Sequence, residues 1–337
     1  MGFFANILCR LAPNSDPSCT FFPPTSTYDP ERDMPDQTDK VALVTGANTG
    51  VGYHTARYLL LKNAKVYVAS RSEEKGLAAV ESLRQEVEEK GANGEVVWLK
   101  LDLADLDSVK KAAQEFKAKE KQLDLLSCNA GVMVPPVDQL TKQGFDLQWG
   151  TNVVGHYLLS LPSLRASTAS SGTPVRVVHT SSSAHRLAPG MTGVHFSTLH
   201  GGIKRDEAVK KLGYARAWAL YGQSKLGNVF VAEALQEMLG DKGVSMTAHP
   251  GGLKTELQRT TPSWQLAFFS WMLHPASKGA WTQLWGATSP EGVGLGGKFL
   301  YPWARIGEAD PRSQNKETYR LVKEHLDREI QPWVSEA

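Results

Sequence analysis

From Lys40 onward, short apolar runs alternate with longer stretches in which apolar positions recur every three or four residues. The short runs predict strands at Val41 to Val44, Lys65 to Ala69, Glu95 to Lys100, Leu123 to Cys128, Val175 to Thr180, Val244 to Ala248 and Lys298 to Tyr301. Helical periodicity marks Tyr53 to Leu61, Glu73 to Lys90, Leu106 to Lys121 and Ser224 to Leu239. Strand and helix in alternation are βαβ units, and the connections are long enough for right-handed crossovers. The expected fold class is therefore α/β, a doubly wound parallel sheet of about seven strands with helices on both faces. Two stretches break the rhythm. Residues 184–220 read as an insertion on the substrate side. Residues 255–297, with Trp264, Phe268, Phe269, Trp271, Trp281 and Trp285, read as an aromatic loop that covers an apolar substrate or packs a helix pair. Residues 1–38 include Pro23, Pro24, Pro30 and Pro35, which disfavour helix and central strand alike. The expected organisation is an irregular N-terminal extension over 1–38 and one domain over 39–335.

Composition narrows the function. The 337 residues carry 37 Lys+Arg against 35 Asp+Glu, a net charge of +2. With no run of five like charges the chain lacks the concentrated basic face that nucleic-acid binding needs. Cys9, Cys19 and Cys128 show neither zinc-ligand nor disulfide spacing, and His156, His179, His185 and His249 show no paired-ligand spacing, so no metal is expected. A reducing, cytoplasmic setting is the default for such cysteine usage. No apolar stretch reaches the roughly 18 residues that span a bilayer. Phe3, Phe4, Ile7, Leu8 and Leu11 form a short apolar segment with Arg10 behind rather than ahead of it, the wrong order for a signal peptide. It reads as a tail packed on the surface, with a peripheral membrane or partner contact left open.

The chemistry begins at Thr45-Gly46-Ala47-Asn48-Thr49-Gly50-Val51-Gly52, directly after the first predicted strand and ahead of a helix. Glycines there let the backbone approach a pyrophosphate, and the helix N-terminus offers free N–H groups and the positive end of a dipole. A Rossmann-like nucleotide-binding turn follows from that context. Further along, Tyr221 and Lys225 stand at i and i+4, one face of a helix, so both can enter one cleft. A nearby ammonium and an oxidised nicotinamide both favour the phenolate and are expected to lower the Tyr221 pKa toward the range of proton exchange with a carbonyl or alcohol oxygen.

The glycine spacing TGxxxGxG, Cys128-Asn129-Ala130-Gly131, Val177 to Ser183, Tyr221-Gly222-Gln223-Ser224-Lys225 and His249-Pro250-Gly251-Gly252-Leu253-Lys254-Thr255 together resemble the short-chain dehydrogenase/reductase family. The likeness runs over about residues 39–330. It implies Tyr221 as general acid/base, Lys225 as its tuner and ribose ligand, Ser182 as donor to the substrate oxygen, and Asn152 as proton relay. It also implies a dinucleotide site made of Gly46, Asn48, Thr49, Gly50, Val51, Gly52, Arg71, Asp102, Asn129, Ala130, Gly131, Pro250, Gly251, Leu253 and Thr255, with Tyr221 and Lys225. Among Ser181, Ser182 and Ser183, the family pattern selects Ser182. The 39 residues from Ser182 to Tyr221 are longer than in compact members.

The second predicted strand ends in Ala69-Ser70-Arg71-Ser72, without the acidic residue that would accept ribose hydroxyls. Ser70 and Arg71 can instead receive a 2′-phosphate, which favours NADP(H) over NAD(H). Arg71, Gly155-His156-Tyr157, Ser183-Ala184-His185, His249-Pro250-Gly251 and Lys278-Gly279-Ala280 look most like the retinol-dehydrogenase and WW-domain-oxidoreductase branch. The expected function is NADP(H)-dependent interconversion of a hydrophobic ketone or aldehyde with its alcohol. The alternative is a non-catalytic NADP(H)-sensing scaffold. A homodimer is left open.

Overall fold

All five residues of Val41–Thr45 (β1) are buried, because the strand lies inside a parallel sheet whose two faces are both covered. The computed structural model describes residues 20, 22–167, 174–255 and 273–334. After β1 come Gly50–Leu61 (α1), Lys65–Ser70 (β2), Glu73–Glu89 (α2), Glu95–Lys100 (β3), Leu106–Lys119 (α3) and Leu125–Cys128 (β4). A helical passage follows: Leu147–Trp149, a π-helical turn over Gly150–Val154, and Gly155–Ser167 (α4). Val175–Thr180 (β5) precedes Ile203–Lys211 (α5), the helix Arg216–Leu239 (α6) and Gly243–Ala248 (β6). The remainder is Leu253–Lys254 (β7), His274–Pro275 (β8), Ala276–Thr288 (α7), Phe299–Tyr301 (β9), Arg305–Gly307 (β10) and Lys316–Val334 (α8).

The main sheet has the order β10-β9-β6-β5-β4-β1-β2-β3, parallel throughout except for the antiparallel β9–β10 pair. Its strand count is eight, against about seven expected from the sequence. The extra strand, β10, is three residues long and follows a tight reversal after β9, too short to show alternation. A separate two-stranded piece pairs β7 with β8. The order of connection reverses between β1 and β4, where a doubly wound sheet opens its ligand crevice at the carboxyl ends of the strands.

Strands β1 to β5 feed two cores. Val41 and Leu43 of β1, with Tyr67, Leu99, Leu126 and Val177, pack against Phe116, Leu158 and Phe230 on one face. Ala42 and Val44, with Val66, Val68, Val178 and Met246, pack against Ala56, Leu60, Leu83 and Leu284 on the other. Trp281 and Trp285 are on α7 and pack, partly buried, on this second core. Trp264, Phe268, Phe269, Trp271, Cys9, Cys19 and the apolar segment around Phe3 to Leu11 lie outside the described residues.

The N-terminal extension is not wholly irregular. Pro30–Asp33 makes a single helical turn, with the Asp29 carboxylate capping Glu31 N and proline at its start. Tyr28 and Met34 on either side of it are buried in the second core. The insertion after β5 contains α5 and closes on Asp146 through Arg205: Arg205 Nη2 lies 2.8 Å from Asp146 Oδ2, both side chains buried.

Candidate active site

Thr45, at the end of β1, organises the crevice. Its Oγ1 accepts from Asn129 N and Ala130 N, each at 2.9 Å, and Asn129 Nδ2 donates to Thr45 O at 3.0 Å. The segment Asn129-Ala130-Gly131 after β4 is thereby strapped to the glycine turn after β1. Gly52 shows why the turn is glycine-rich: a Cβ there would stand 2.5 Å from Asn129 Nδ2 and 2.6 Å from Gly46 O. Thr49 precedes α1 in extended conformation without a side-chain cap, so the first N–H groups of a 12-residue helix are not consumed by Thr49 and can face an anion. Asn48 and Val51 flank that opening in the same turn. Thr255 meets it from the other side, its Cβ 3.8 Å from where a Cβ of Gly50 would be.

With both Thr45 lone pairs occupied, the single hydroxyl hydrogen is shared between His156 Nε2 at 2.9 Å and Ser127 O at 3.2 Å. The shorter contact makes Nε2 the acceptor, so the ring proton sits on Nδ1 and donates to Asn152 O at 3.1 Å. Burial pushes the His156 pKa down to about 4, and the ring is neutral. Sequence reasoning weighed the His156 ring only as a metal ligand and missed this bridge between the end of β1 and the helical passage that holds Asn152. Among the described residues no cluster of His, Cys, Asp or Glu could hold a metal ion.

Asn152 falls in the π-helical turn, fully buried. Its Oδ1 accepts from Val132 N at 2.8 Å, and Nδ2 donates to Val132 O at 3.0 Å and to Ser224 Oγ at 2.9 Å. The amide thus joins the segment after Gly131 to α6. A Cβ on Gly131 would lie 3.0 Å from Asn152 Oδ1 and 3.5 Å from Lys225 Nζ, so the absent side chain is space beside the lysine. That bare backbone, the uncapped α1 and the close-packed Gly52 fit a nucleotide lying across the strand ends.

The helix α6 starts at Arg216, two turns before the expected Ser224, and holds Tyr221 and Lys225 inside it. Both are buried. Ser182 Oγ accepts from Ala184 N at 3.2 Å, and its hydroxyl is the neighbour that acts to lower the Tyr221 phenol. Ser181 turns the other way, its hydroxyl donating to Lys225 O at 2.7 Å. Lys225 Nζ donates to Thr180 O at 2.9 Å and stands 5.7 Å from the centre of the Tyr221 ring. Burial holds the Lys225 ammonium down to about 8. It also raises the Tyr221 phenol, against the lowering by Ser182. The sequence led to a lowered tyrosine; desolvation outweighs what lowers it. Trp218, one helical turn earlier and part exposed, meets the Tyr221 ring edge-on at 6.0 Å, an apolar wall that motif reading did not supply.

At the far end of the crevice Arg71 is exposed, and its carbonyl is held by Lys100 Nζ at 2.6 Å. Ser70 is buried and occupied, its Oγ accepting from Trp98 Nε1 at 3.1 Å and donating to Ser72 O at 3.4 Å. The Ser70 hydroxyl is thus engaged within the strand ends, and Lys100 places a second cation beside Arg71 that sequence reasoning overlooked. Asp102 turns a carboxylate oxygen onto Ala104 N at 3.0 Å, which shapes the end of β3. Pro250 and Gly251 follow β6, and Leu253 continues into the small β7–β8 pair.

A family model described as short chain dehydrogenase matches residues 40–203. A short-chain dehydrogenase/reductase of Armillaria gallica is 45% identical over 292 residues, 86% of this chain and 89% of its own. Mouse retinol dehydrogenase 12 is 37% identical over 284 residues, 83% of this chain and 82% of its own. Among solved structures, a short chain dehydrogenase from Burkholderia cenocepacia in complex with NADP superposes with a TM-score of 0.59, at 23% identity over 80% of this chain and 98% of that one.

Proposed function

Because the chain belongs to the short-chain dehydrogenase/reductase family, in its retinol dehydrogenase-like branch, and is thus an oxidoreductase of small molecules, we propose that it interconverts a hydrophobic ketone or aldehyde with its alcohol, using NADP(H) and Tyr221 as general acid/base. The observation that carries this reading is Tyr221 and Lys225 buried together one turn apart on α6, with Lys225 Nζ 5.7 Å from the centre of the Tyr221 ring. When bound, the dinucleotide supplies or takes up the hydride.

Tyr221 gives its phenolic proton to the carbonyl oxygen during reduction and recovers one from the alcohol during oxidation. Burial keeps that phenol protonated, the form that reduction requires. Ser182 donates a second hydrogen bond to the same oxygen, where charge builds as the carbonyl is reduced. Lys225 holds the ribose with Nζ and, once charged, lowers the cost of a phenolate on Tyr221. Asn152 serves as the proton relay beside Lys225, its amide joining the segment after Gly131 to Ser224 of α6. Trp218 excludes water from one side of Tyr221 and favours an apolar substrate.

The NADP(H) preference rests on Arg71 and Lys100 standing together at the end of the β2–β3 pair, with Ser70 rather than an acidic residue as the last position of β2. Purified protein assayed with NADPH and NADH against long-chain and cyclic aldehydes and ketones tests both parts. Turnover that prefers NADPH, vanishes in Tyr221→Phe and loses its coenzyme preference in Arg71→Ala is the expected result. Turnover retained by Tyr221→Phe refutes the mechanism. Tight NADPH binding with no turnover on any substrate favours the sensing scaffold instead.

A further inference from the structure

The N-terminal arm reaches the loop that follows β6. Thr20 is 4% exposed. Its carbonyl accepts from Gly252 N at 2.9 Å, and its hydroxyl lies 3.2 Å from His249 Nε2. On the inner side of the same ring, His249 Nδ1 accepts from Gly251 N at 3.4 Å. The ring proton is therefore on Nε2 and donates to the Thr20 hydroxyl. Gly251 has φ +95° and packs against Trp303 and Pro302, a conformation that the loop holds only while its flanking groups are fixed. Gly252 is gripped from both sides, since its carbonyl accepts from His274 N at 2.9 Å.

The arm is itself anchored to the elements that frame the crevice. Tyr28 OH meets Thr288 Oγ1 of α7 at 3.3 Å. Lys62 Nζ, at the end of α1, donates to Glu31 O at 2.9 Å, and Gln37 N donates to Lys62 O at 2.7 Å.

We propose that Thr20 is a positioning residue for the nicotinamide half of the cofactor site, acting from the arm through His249 and Gly252 on the loop Pro250–Gly251. The inference rests on the functional reading above. Thr20 touches neither substrate nor reacting atoms. It supplies the outer partners of two N–H groups in a buried loop that continues through Leu253 to Thr255 at the start of α1. The adenosine end, at Arg71 and Asp102, is built by other elements, so the two halves of the cofactor respond differently when Thr20 changes.

The test compares wild type, Thr20→Val and Thr20→Ser. Valine keeps the shape and the backbone carbonyl but removes the hydroxyl, whereas serine keeps the hydroxyl. Binding of NADPH and of adenosine 2′,5′-bisphosphate, which lacks the nicotinamide, is titrated by tryptophan fluorescence. Amide hydrogen exchange of residues 249–254 is followed in the nucleotide-free protein. A lost hydrogen bond predicts NADPH binding about fivefold weaker in Thr20→Val. The bisphosphate affinity is unchanged, exchange in 249–254 is faster by a similar factor, and Thr20→Ser is restored on every measure. Equal weakening of both ligands, no change in either, or no rescue by serine overturns the inference. Wild-type protein that binds neither nucleotide overturns the functional reading, and the inference with it.

Discussion

Replacing Arg205 by Met isolates a charge that the fold cannot easily hydrate. Asp146 and Arg205 are 2–3% exposed at the side chain and paired at 2.8 Å. Arg205 Nη2 also donates to Val137 O at 2.5 Å. Asp146 Oδ1 accepts from Gln148 N at 3.1 Å and Trp149 N at 3.0 Å, capping the helical turn that leads into Asn152. In Arg205→Met the carboxylate keeps those two amides and loses its counter-charge. Removing one partner of a buried pair costs about 3–5 kcal/mol, a large part of the roughly 5–15 kcal/mol that holds a folded chain together. Asp146→Asn together with Arg205→Met removes both charges while the amide oxygen can still cap, and should recover to within about 1 kcal/mol of wild type. Burial already raises the Asp146 pKa, and losing the guanidinium raises it further. An acid whose folded-state pKa is raised is stabilising only while protonated. The deficit should therefore be smallest below the unfolded carboxylate pKa of about 4 and grow as pH rises through the raised folded value. Urea unfolding followed by far-UV circular dichroism at acid and neutral pH measures both effects. A deficit under about 1 kcal/mol, or one that is the same at the two pH values, would refute the reasoning.

Gly52→Ala places a Cβ 2.6 Å from Gly46 O and 2.5 Å from Asn129 Nδ2, forcing the two strapped segments apart. Overpacking of about 1–3 kcal/mol and at least a roughly tenfold loss of NADPH affinity are expected by denaturation and fluorescence titration; affinity within about twofold of wild type would contradict it. Lys225, held near 8 by burial against the 10.5 of a solvated lysine, loses its proton in the folded protein before it does so unfolded. Wild type should thus gain stability from pH 8 to 10.5, up to about 3 kcal/mol, whereas Lys225→Met gains less by that amount, the difference cancelling tyrosine and cysteine titrations common to both. Parallel stability–pH curves would remove the lysine from the explanation.

What the sequence made legible was local. The strand–turn–helix at Val41 to Leu61 and the strand before Ser182 need only nearest-neighbour patterning and a glycine spacing, and the pairing of Tyr221 with Lys225 needs only the helical repeat. The helix start at Arg216 was hidden because Gly213–Ala215 makes a short 3-10 turn and the following turn has no side-chain cap. Trp281 and Trp285 invited a substrate role by their density, yet their helix turns them onto the core. Groups brought together from distant segments left no local trace: Asp146 with Arg205 across 59 positions, Lys100 on the carbonyl of Arg71 across 29, and His156 against Thr45 across 111. The protonation of Tyr221 depends on how much chain surrounds it, which motif spacing does not encode.

Thr20 and His249 are separated by 229 positions, and this sets an order of assembly. During synthesis at about 5–20 residues per second, the arm leaves the ribosome roughly 10–50 s before the loop that receives it exists. Tyr28 waits longer still, for Thr288. The arm is therefore made well before it can be seated, its contact at Thr20 waiting for the loop at His249 and Gly252 and its contact at Tyr28 for α7.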